Sequence, residues 1–137
     1  MRKFDIAHGP VPYFLTKALQ GERVNETSGG DFMANLTYVK DLANALLLVY
    51  QKKSLPSRIY NISNGRHYTV AEVADAINRS IPGARLKVGP GLKPYIDFHV
   101  PRGSFDITKA ENEFGFRVEY SIEKALSDYA QWLKGHI

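Results

Sequence analysis

The chain has 137 residues, no cysteine and a formal net charge of +4. Its length is enough to bury a core, and we expect a single domain spanning residues 1–137. A hydrophobic content of 44% excludes a disordered chain. The absence of cysteine excludes a disulfide scaffold and a thiolate metal site.

The positive charge is spread along the whole chain. Basic residues such as Lys40, Arg58 and Lys87 alternate with acidic ones, which predicts a solvated surface rather than a nucleic-acid-binding face. Nucleic-acid binding is an alternative that rests on charge alone. No run of about 18 apolar residues occurs, so we expect no membrane span. The amino terminus lacks an apolar core of signal-peptide length, which favours a cytoplasmic protein.

The first part of the chain predicts a helix followed by a hairpin. Residues 10–21 have helical spacing of apolar residues, with Pro12 at a tolerated first-turn position. Residues 22–32 predict a strand and a loop. We expect this strand to return as an antiparallel hairpin into a second strand at 36–39.

The stretch that follows is the most apolar of the sequence. Residues 42–50 are apolar on nearly all sides, which predicts a buried helix. Asp41 stands at its start, where a carboxylate can accept hydrogen bonds from the free N–H groups of the first turn. We expect the rest of the chain to cover this helix.

The second part predicts two short strands and three amphipathic helices. The strands are expected at 58–63 and 85–88, and the helices begin at a capping box formed by Thr69 and Glu72, at Asp106 and at Ser121. The last helix has an apolar face that includes Leu126 and Trp132. Few short strands mixed with several amphipathic helices indicate the α/β class.

Several stretches follow recognisable patterns in a fixed order. Thr-Tyr-Val-Lys-Asp-Leu-Ala at 37–43 has the form hydrophobic-Val-x-Asp-hydrophobic-Ala, and Tyr-Asn-Ile-Ser-Asn-Gly at 60–65 precedes a helix start at 68–73. Further stretches lie at 9–22, 105–116 and 120–132. Their order and spacing resemble the C-terminal part of the extended short-chain dehydrogenases, the NAD-dependent epimerase/dehydratase family. The resemblance implies a partial Rossmann-type fold.

Two functional motifs of that family are not found in this sequence. The family binds NAD or NADP with a Gly-rich turn between a strand and a helix, and neither Gly29-Gly30 nor Gly89-Pro-Gly91 has that context. Tyr13 and Lys17 have the spacing of the family's catalytic Tyr-x-x-x-Lys pair, but their segment follows the catalytic helix in the family. We expect no catalytic residue, no cofactor-binding residue and no metal ligand here, and no cofactor binding by this chain alone.

The resemblance also indicates candidate substrate-binding residues. In members that act on nucleotide sugars, contacts come from segments that match His8 and Gly9, Asn35, and Arg102 in this sequence. Arg102 could hold a phosphate or carboxylate with its planar guanidinium, or it could form a surface salt bridge. His8 could equally be an ordinary loop histidine. Ala34 stands where many members carry a phosphate-binding arginine, which departs from the pattern for a nucleotide diphosphate.

Two functions are predicted on this basis. The first is the substrate-binding part of an NAD(P)-dependent sugar-nucleotide epimerase, dehydratase or related dehydrogenase, inactive without an N-terminal dinucleotide-binding half. Its partners would be a small-molecule substrate, such as a nucleotide sugar, and that half. The alternative is a non-catalytic module that binds a ligand or partner, or forms a homo-oligomer such as a dimer, through the surface that the other half would cover.

Overall fold

The computed structural model describes residues 9–93 and 103–136. These residues form two compact units. The first unit contains residues 9–34, 68–93 and 122–136, and the second contains 35–67 and 103–121.

Five helices and four short strands make up the described part of the chain. In chain order they are α1 (Pro10–Leu19), β1 (Arg23–Glu26), β2 (Met33–Asn35), α2 (Val39–Tyr50), β3 (His67–Thr69), α3 (Val70–Ser80), β4 (Arg85–Val88), α4 (Thr108–Phe114) and α5 (Ile122–Lys134). The predicted α/β class, with few short strands and several helices, is confirmed. Among the described residues, no helix is both long and apolar enough to cross a bilayer.

The first unit is built on a two-stranded parallel sheet. Strand β1 pairs with β4, with Val24 opposite Leu86, and both of these side chains are buried. Helix α3 packs against β4, α1 and α5. Phe14 and Ile77 are fully buried, so three helices and one face of the sheet share one core.

Local signals explain why α3 forms where it was predicted. The Thr69 hydroxyl accepts from the Glu72 N–H at 3.1 Å, and the Glu72 carboxylate accepts from the Thr69 N–H at 2.7 Å. This reciprocal capping box supplies partners for two backbone groups that a helix start leaves unpaired. Val70, Val73 and Ile77 of this helix are buried.

The second unit has a smaller core. Ala45 of α2 packs with Ala110 and Phe114 of α4, and with Phe116 just beyond it. Asp41 is 3% exposed, and its carboxylate accepts from the Glu119 N–H at 3.0 Å. Asp41 lies in the first turn of α2, as predicted. Its carboxylate binds the distant Glu119 segment instead of capping the helix.

The predicted antiparallel hairpin is wrong. Strand β1 pairs in parallel with β4, and β2 pairs with β3 in another two-stranded sheet. The strand expected at 36–39 is also displaced, since β2 ends at Asn35 and α2 already begins at Val39. Sequence alternation indicated extended segments, but it carried no information about which segments pair.

The strand predicted at 58–63 does not form. Its side chains still alternate, because Tyr60 and Ile62 pack on the core of the second unit while Ile59 is exposed. A strand requires a hydrogen-bonded neighbour, and the described residues provide none for this segment.

Two further predictions need correction. Helix α2 was expected to be buried, yet Leu46 is 63% exposed and Tyr50 is 87% exposed. Trp132 was placed on the buried face of the last helix, but it is 55% exposed and stacks on the His136 ring. Ala130 of the same helix is buried instead.

Candidate functional site

The structure describes two of the four predicted substrate-binding residues. His8 and Arg102 lie outside the described residues. Gly9 belongs to the first unit and Asn35 belongs to the second.

Gly9 is the N-cap residue of α1, with φ 71° and ψ 176°. A helix start can bind an anion through its free N–H groups. Pro10 and Pro12 each remove one of those donors, and the first turn contains no acidic residue. Gly9 therefore positions a helix start with little donor capacity, and any ligand contact here involves few N–H groups.

Asn35 has a side-chain acceptor for which the described residues supply no partner. Its side-chain oxygen Oδ1 is buried, and no donor from the described residues reaches it. The chain around it is anchored, since the Asn64 N–H donates to the Leu36 carbonyl at 3.3 Å and the Thr37 hydroxyl to the Ile62 carbonyl at 3.2 Å. Buried polar atoms nearly always have hydrogen-bond partners. This oxygen is therefore a candidate acceptor for a group from outside the described residues.

The Tyr13 and Lys17 pair does not have catalytic geometry. The Lys17 ammonium lies 2.7 Å from the Glu22 carboxylate, and the Tyr13 hydroxyl donates to Glu26 at 3.4 Å. Burial raises the pKa of Tyr13, and the negative charge of Glu26 raises it further. A catalytic tyrosinate requires a lowered pKa, so this environment opposes the role.

A second tyrosine has a carboxylate partner that sequence analysis missed. The Tyr60 hydroxyl donates to Glu113, which also accepts from the Ser57 hydroxyl at 2.9 Å and the Ser57 N–H at 3.2 Å. Desolvation raises the pKa of Tyr60, with a further increase from its bond to Glu113. The bond from Tyr60 lowers the pKa of Glu113. The cluster joins the 57–60 loop to α4, and both shifts favour the bonded state over proton transfer.

The two glycine clusters face each other in the first unit. The Gly30 N–H donates to the Gly89 carbonyl at 2.9 Å, and the Asp31 N–H donates to the Gly91 carbonyl at 3.0 Å. A Cβ on Gly89 would lie 2.2 Å from the Thr27 carbonyl oxygen. These glycines are required for contact between two loops, so they do not fit the pyrophosphate-binding role that such residues have in a dinucleotide site.

Among the residues that the structure describes, the other polar groups supply no metal centre. Within residues 9–93 and 103–136, no group of three histidine or acidic side chains could hold a metal ion. The His67 ring nitrogen Nδ1 lies 3.2 Å from the Ser104 hydroxyl. Of the predicted residues that are described, Asn35 is the one whose side chain has a buried acceptor that no described residue satisfies.

Comparisons with known proteins give relatives that are longer than this chain. No protein-family model matches it. YbjS, an uncharacterized protein of Escherichia coli K12, is 30% identical, with 79% of this chain and 40% of YbjS covered. The chain thus spans about two fifths of the length of this relative.

Solved structures match over nearly the whole chain. UDP-glucose 4-epimerase of Thermotoga maritima, in complex with UDP-glucose, is 26% identical with a TM-score of 0.75, covering 93% of this chain and 40% of the epimerase. WbmF of Bordetella bronchiseptica, in complex with NAD+ and UDP, is 28% identical with a TM-score of 0.69, covering 96% of this chain and 37% of WbmF. The chain is therefore related to the extended short-chain dehydrogenases of the NAD-dependent epimerase/dehydratase family, and it resembles their C-terminal part.

Proposed function

We propose that the chain is the substrate-binding part of an NAD(P)-dependent enzyme that acts on a nucleotide sugar, as an epimerase, a dehydratase or a related dehydrogenase. The observation that carries this proposal is the match to an epimerase that holds UDP-glucose, over 93% of this chain. In the proposed enzyme, a separate dinucleotide-binding part supplies the hydride acceptor. This chain alone binds substrate and is inactive.

The exposed side of α2 supports the proposal that another part of the enzyme covers this helix. Val39, Leu42, Leu46 and Tyr50 lie at helical spacing on one side of the helix, and we call them the open face of α2. All four are exposed. Contiguous apolar surface of this kind usually belongs to an interface, which suits a chain that covers about 40% of its structural neighbours.

Asn35 is the residue on which ligand binding can be tested. Its buried Oδ1 has no donor among the described residues, and a nucleotide sugar offers both N–H and O–H donors. Loss of one such hydrogen bond costs about 1 kcal/mol, or about fivefold in affinity. Isothermal titration with UDP-glucose should therefore give a weaker Kd for Asn35→Ala by this factor.

The titration has a matched control and a clear contrary outcome. Asn112 is an exposed asparagine on α4, so Asn112→Ala should bind UDP-glucose as the unchanged chain does. NAD should give no heat of binding. Equal affinity of the two variants would remove Asn35 from the site, and micromolar binding of NAD would contradict a separate cofactor-binding part.

A second candidate function is self-association, which the open face of α2 favours. Two copies could bury this face against each other in a non-catalytic, ligand-binding dimer. Light scattering should then give twice the 15.4 kDa mass of the chain, and Leu46→Glu should restore the monomer because a buried charge is costly. A monomer at every concentration would contradict this function.

A further inference from the structure

The outer face of the β1–β4 sheet has a concentrated positive charge. The register places Arg23 opposite Arg85 and Asn25 opposite Lys87. All four residues are exposed, while the alternate residues Val24 and Leu86 face the core. We call Arg23, Arg85 and Lys87 the basic strip.

Neighbouring carboxylates in the described part of the chain do not neutralise the basic strip. Glu22 is bound by the Lys17 ammonium at 2.7 Å. Glu26 accepts from the Tyr13 hydroxyl, and the strand alternation places it on the side of Val24. Like charges directly opposite each other across two strands are destabilising. The pairing of Arg23 with Arg85 is therefore unfavourable unless a negative group lies over them.

The outer edge of β4 is closed by a side chain. The Asn78 amide nitrogen donates to the Leu86 carbonyl at 2.8 Å, and the Leu86 N–H donates to the Asn78 oxygen at 2.9 Å. The Asn78 carboxamide thus occupies both main-chain groups that a further strand would use here. This arrangement protects the edge from pairing with another chain.

Among the described residues, none covers the outer edge of β1 in this way. The Gly89 N–H donates to the Glu26 carbonyl at 2.8 Å, so the main-chain groups of Glu26 point toward β4. Alternation along a parallel strand then directs the N–H and C=O groups of Arg23 and Asn25 away from β4. Both residues are exposed, and no described residue forms a main-chain bond with them on this side.

We propose that β1 binds an extended acidic polypeptide segment as a third strand of this sheet. Its main chain would bond to Arg23 and Asn25, and carboxylates at alternate positions would lie over the basic strip. Addition of a strand combines main-chain bonds with alternate side-chain contacts. A phosphate or a nucleic acid would use the positive charge alone, whereas an open edge beside it favours a polypeptide. This proposal does not depend on the role proposed for Asn35.

The binding test uses the 137-residue chain and a hexapeptide of alternating glutamate and threonine with an acetylated amino terminus and an amidated carboxyl terminus. Nuclear magnetic resonance should show shifts of the Arg23 and Asn25 amide signals on titration. A peptide of the same composition, with its glutamates in one block, should bind at least about threefold more weakly. It can place fewer carboxylates on one side of a strand, and each exposed ion pair contributes about 0.2–1 kcal/mol.

Variants separate the contribution of the edge from that of the charge. Arg85→Gln should weaken binding about threefold, the effect of removing one exposed ion pair. Arg58→Gln is the matched control, because Arg58 is an exposed arginine of the second unit, and it should bind normally. Backbone methylation of alternate peptide residues, which removes the peptide donors and leaves the protein unchanged, should abolish the shift of Asn25.

Three outcomes would overturn the proposal. If the methylated peptide, or the peptide with its glutamates in one block, binds as well as the alternating peptide, the basic strip is a general anion-binding surface and no strand is added. If inorganic pyrophosphate or a DNA oligonucleotide displaces the peptide completely at equal concentration, the surface prefers phosphate. Survival of binding in Arg85→Gln at full strength would exclude the basic strip itself.

Discussion

The two units differ in how completely they cover their own apolar surface. In the first unit, three helices and one face of a sheet bury Phe14, Leu15 and Ile77 completely. In the second, α2 buries Ala45 but leaves Leu46 at 63% exposure. The first unit contains the neighbours that its helices need, whereas the second has an apolar face that suits a surface contributed by another part or another copy.

The largest expected effect distinguishes a covered residue from an uncovered one. Phe14→Ala should reduce the free energy of unfolding by about 3–5 kcal/mol, because a fully buried aromatic ring leaves a cavity. Leu46→Ala should change it by less than about 0.5 kcal/mol, since a surface side chain loses few contacts. Urea unfolding followed by far-UV circular dichroism measures both. A large loss for Leu46→Ala would show that α2 is already covered in solution.

The second unit has its own buried ring for comparison. Phe114 is 2% exposed and packs with three other buried residues and several half-buried ones. We expect Phe114→Ala to cost about 3 kcal/mol, at the lower end of the range for such a substitution, because a small core can collapse around the gap. A cost equal to that of Phe14→Ala would mean that the two cores are equally complete.

Asp41 tests the polar part of the same unit. Its carboxylate is buried and accepts from the Glu119 N–H. Asp41→Ala should reduce the free energy of unfolding by about 1–3 kcal/mol, because it leaves a donor without a partner. Asp41→Asn keeps an acceptor oxygen and should cost less, measured by the same urea titration. Equal losses for the two variants would mean that the charge, not the hydrogen bond, is what matters.

Local sequence signals predicted several helices and strands, and contacts between residues distant in sequence explain the predictions that were wrong. The Thr69 capping box and the 85–88 strand could be predicted because each depends on a few adjacent residues. The parallel pairing of β1 with β4 could not, since it joins residues 62 positions apart in the sequence, as in Arg23 and Arg85. The apolar composition of α2 was interpreted as burial. Composition indicates that a helix surface is suited to contact an apolar partner. It does not indicate whether this chain contains that partner.

The candidate site shows the same limit. Asn35 was found through a resemblance to known motifs, but its unpaired buried oxygen depends on the surrounding fold. The bond between Tyr60 and Glu113 joins residues 53 positions apart, and neither position stands out in the sequence. Gly30 and Gly89 likewise contact each other where two loops pack. Composition alone could associate these two glycines with phosphate binding.

The capping box offers a smaller test within the well-covered unit. Thr69→Ala removes the acceptor for the Glu72 N–H and should cost about 1 kcal/mol, the usual loss for an N-cap hydroxyl. Thr69→Ser retains the hydroxyl and should remain close to the unchanged chain in urea unfolding. If Thr69→Ser also loses about 1 kcal/mol of unfolding free energy, the hydroxyl cap does not account for the effect.

The smallest effect concerns the pH dependence of the Tyr60 and Glu113 bond in the second unit. The pKa of Glu113 is lowered from 4.5 and that of Tyr60 is raised from 10.0. The bond therefore contributes fully between those two values. Its contribution is lost as the pH falls through the lowered pKa of Glu113 or rises through the raised pKa of Tyr60. Tyr60→Phe should have a slightly lower Tm than the unchanged chain at neutral pH, and the difference should narrow at both extremes. A difference that is constant across the whole pH range would mean that the hydroxyl acts through packing and not through the carboxylate.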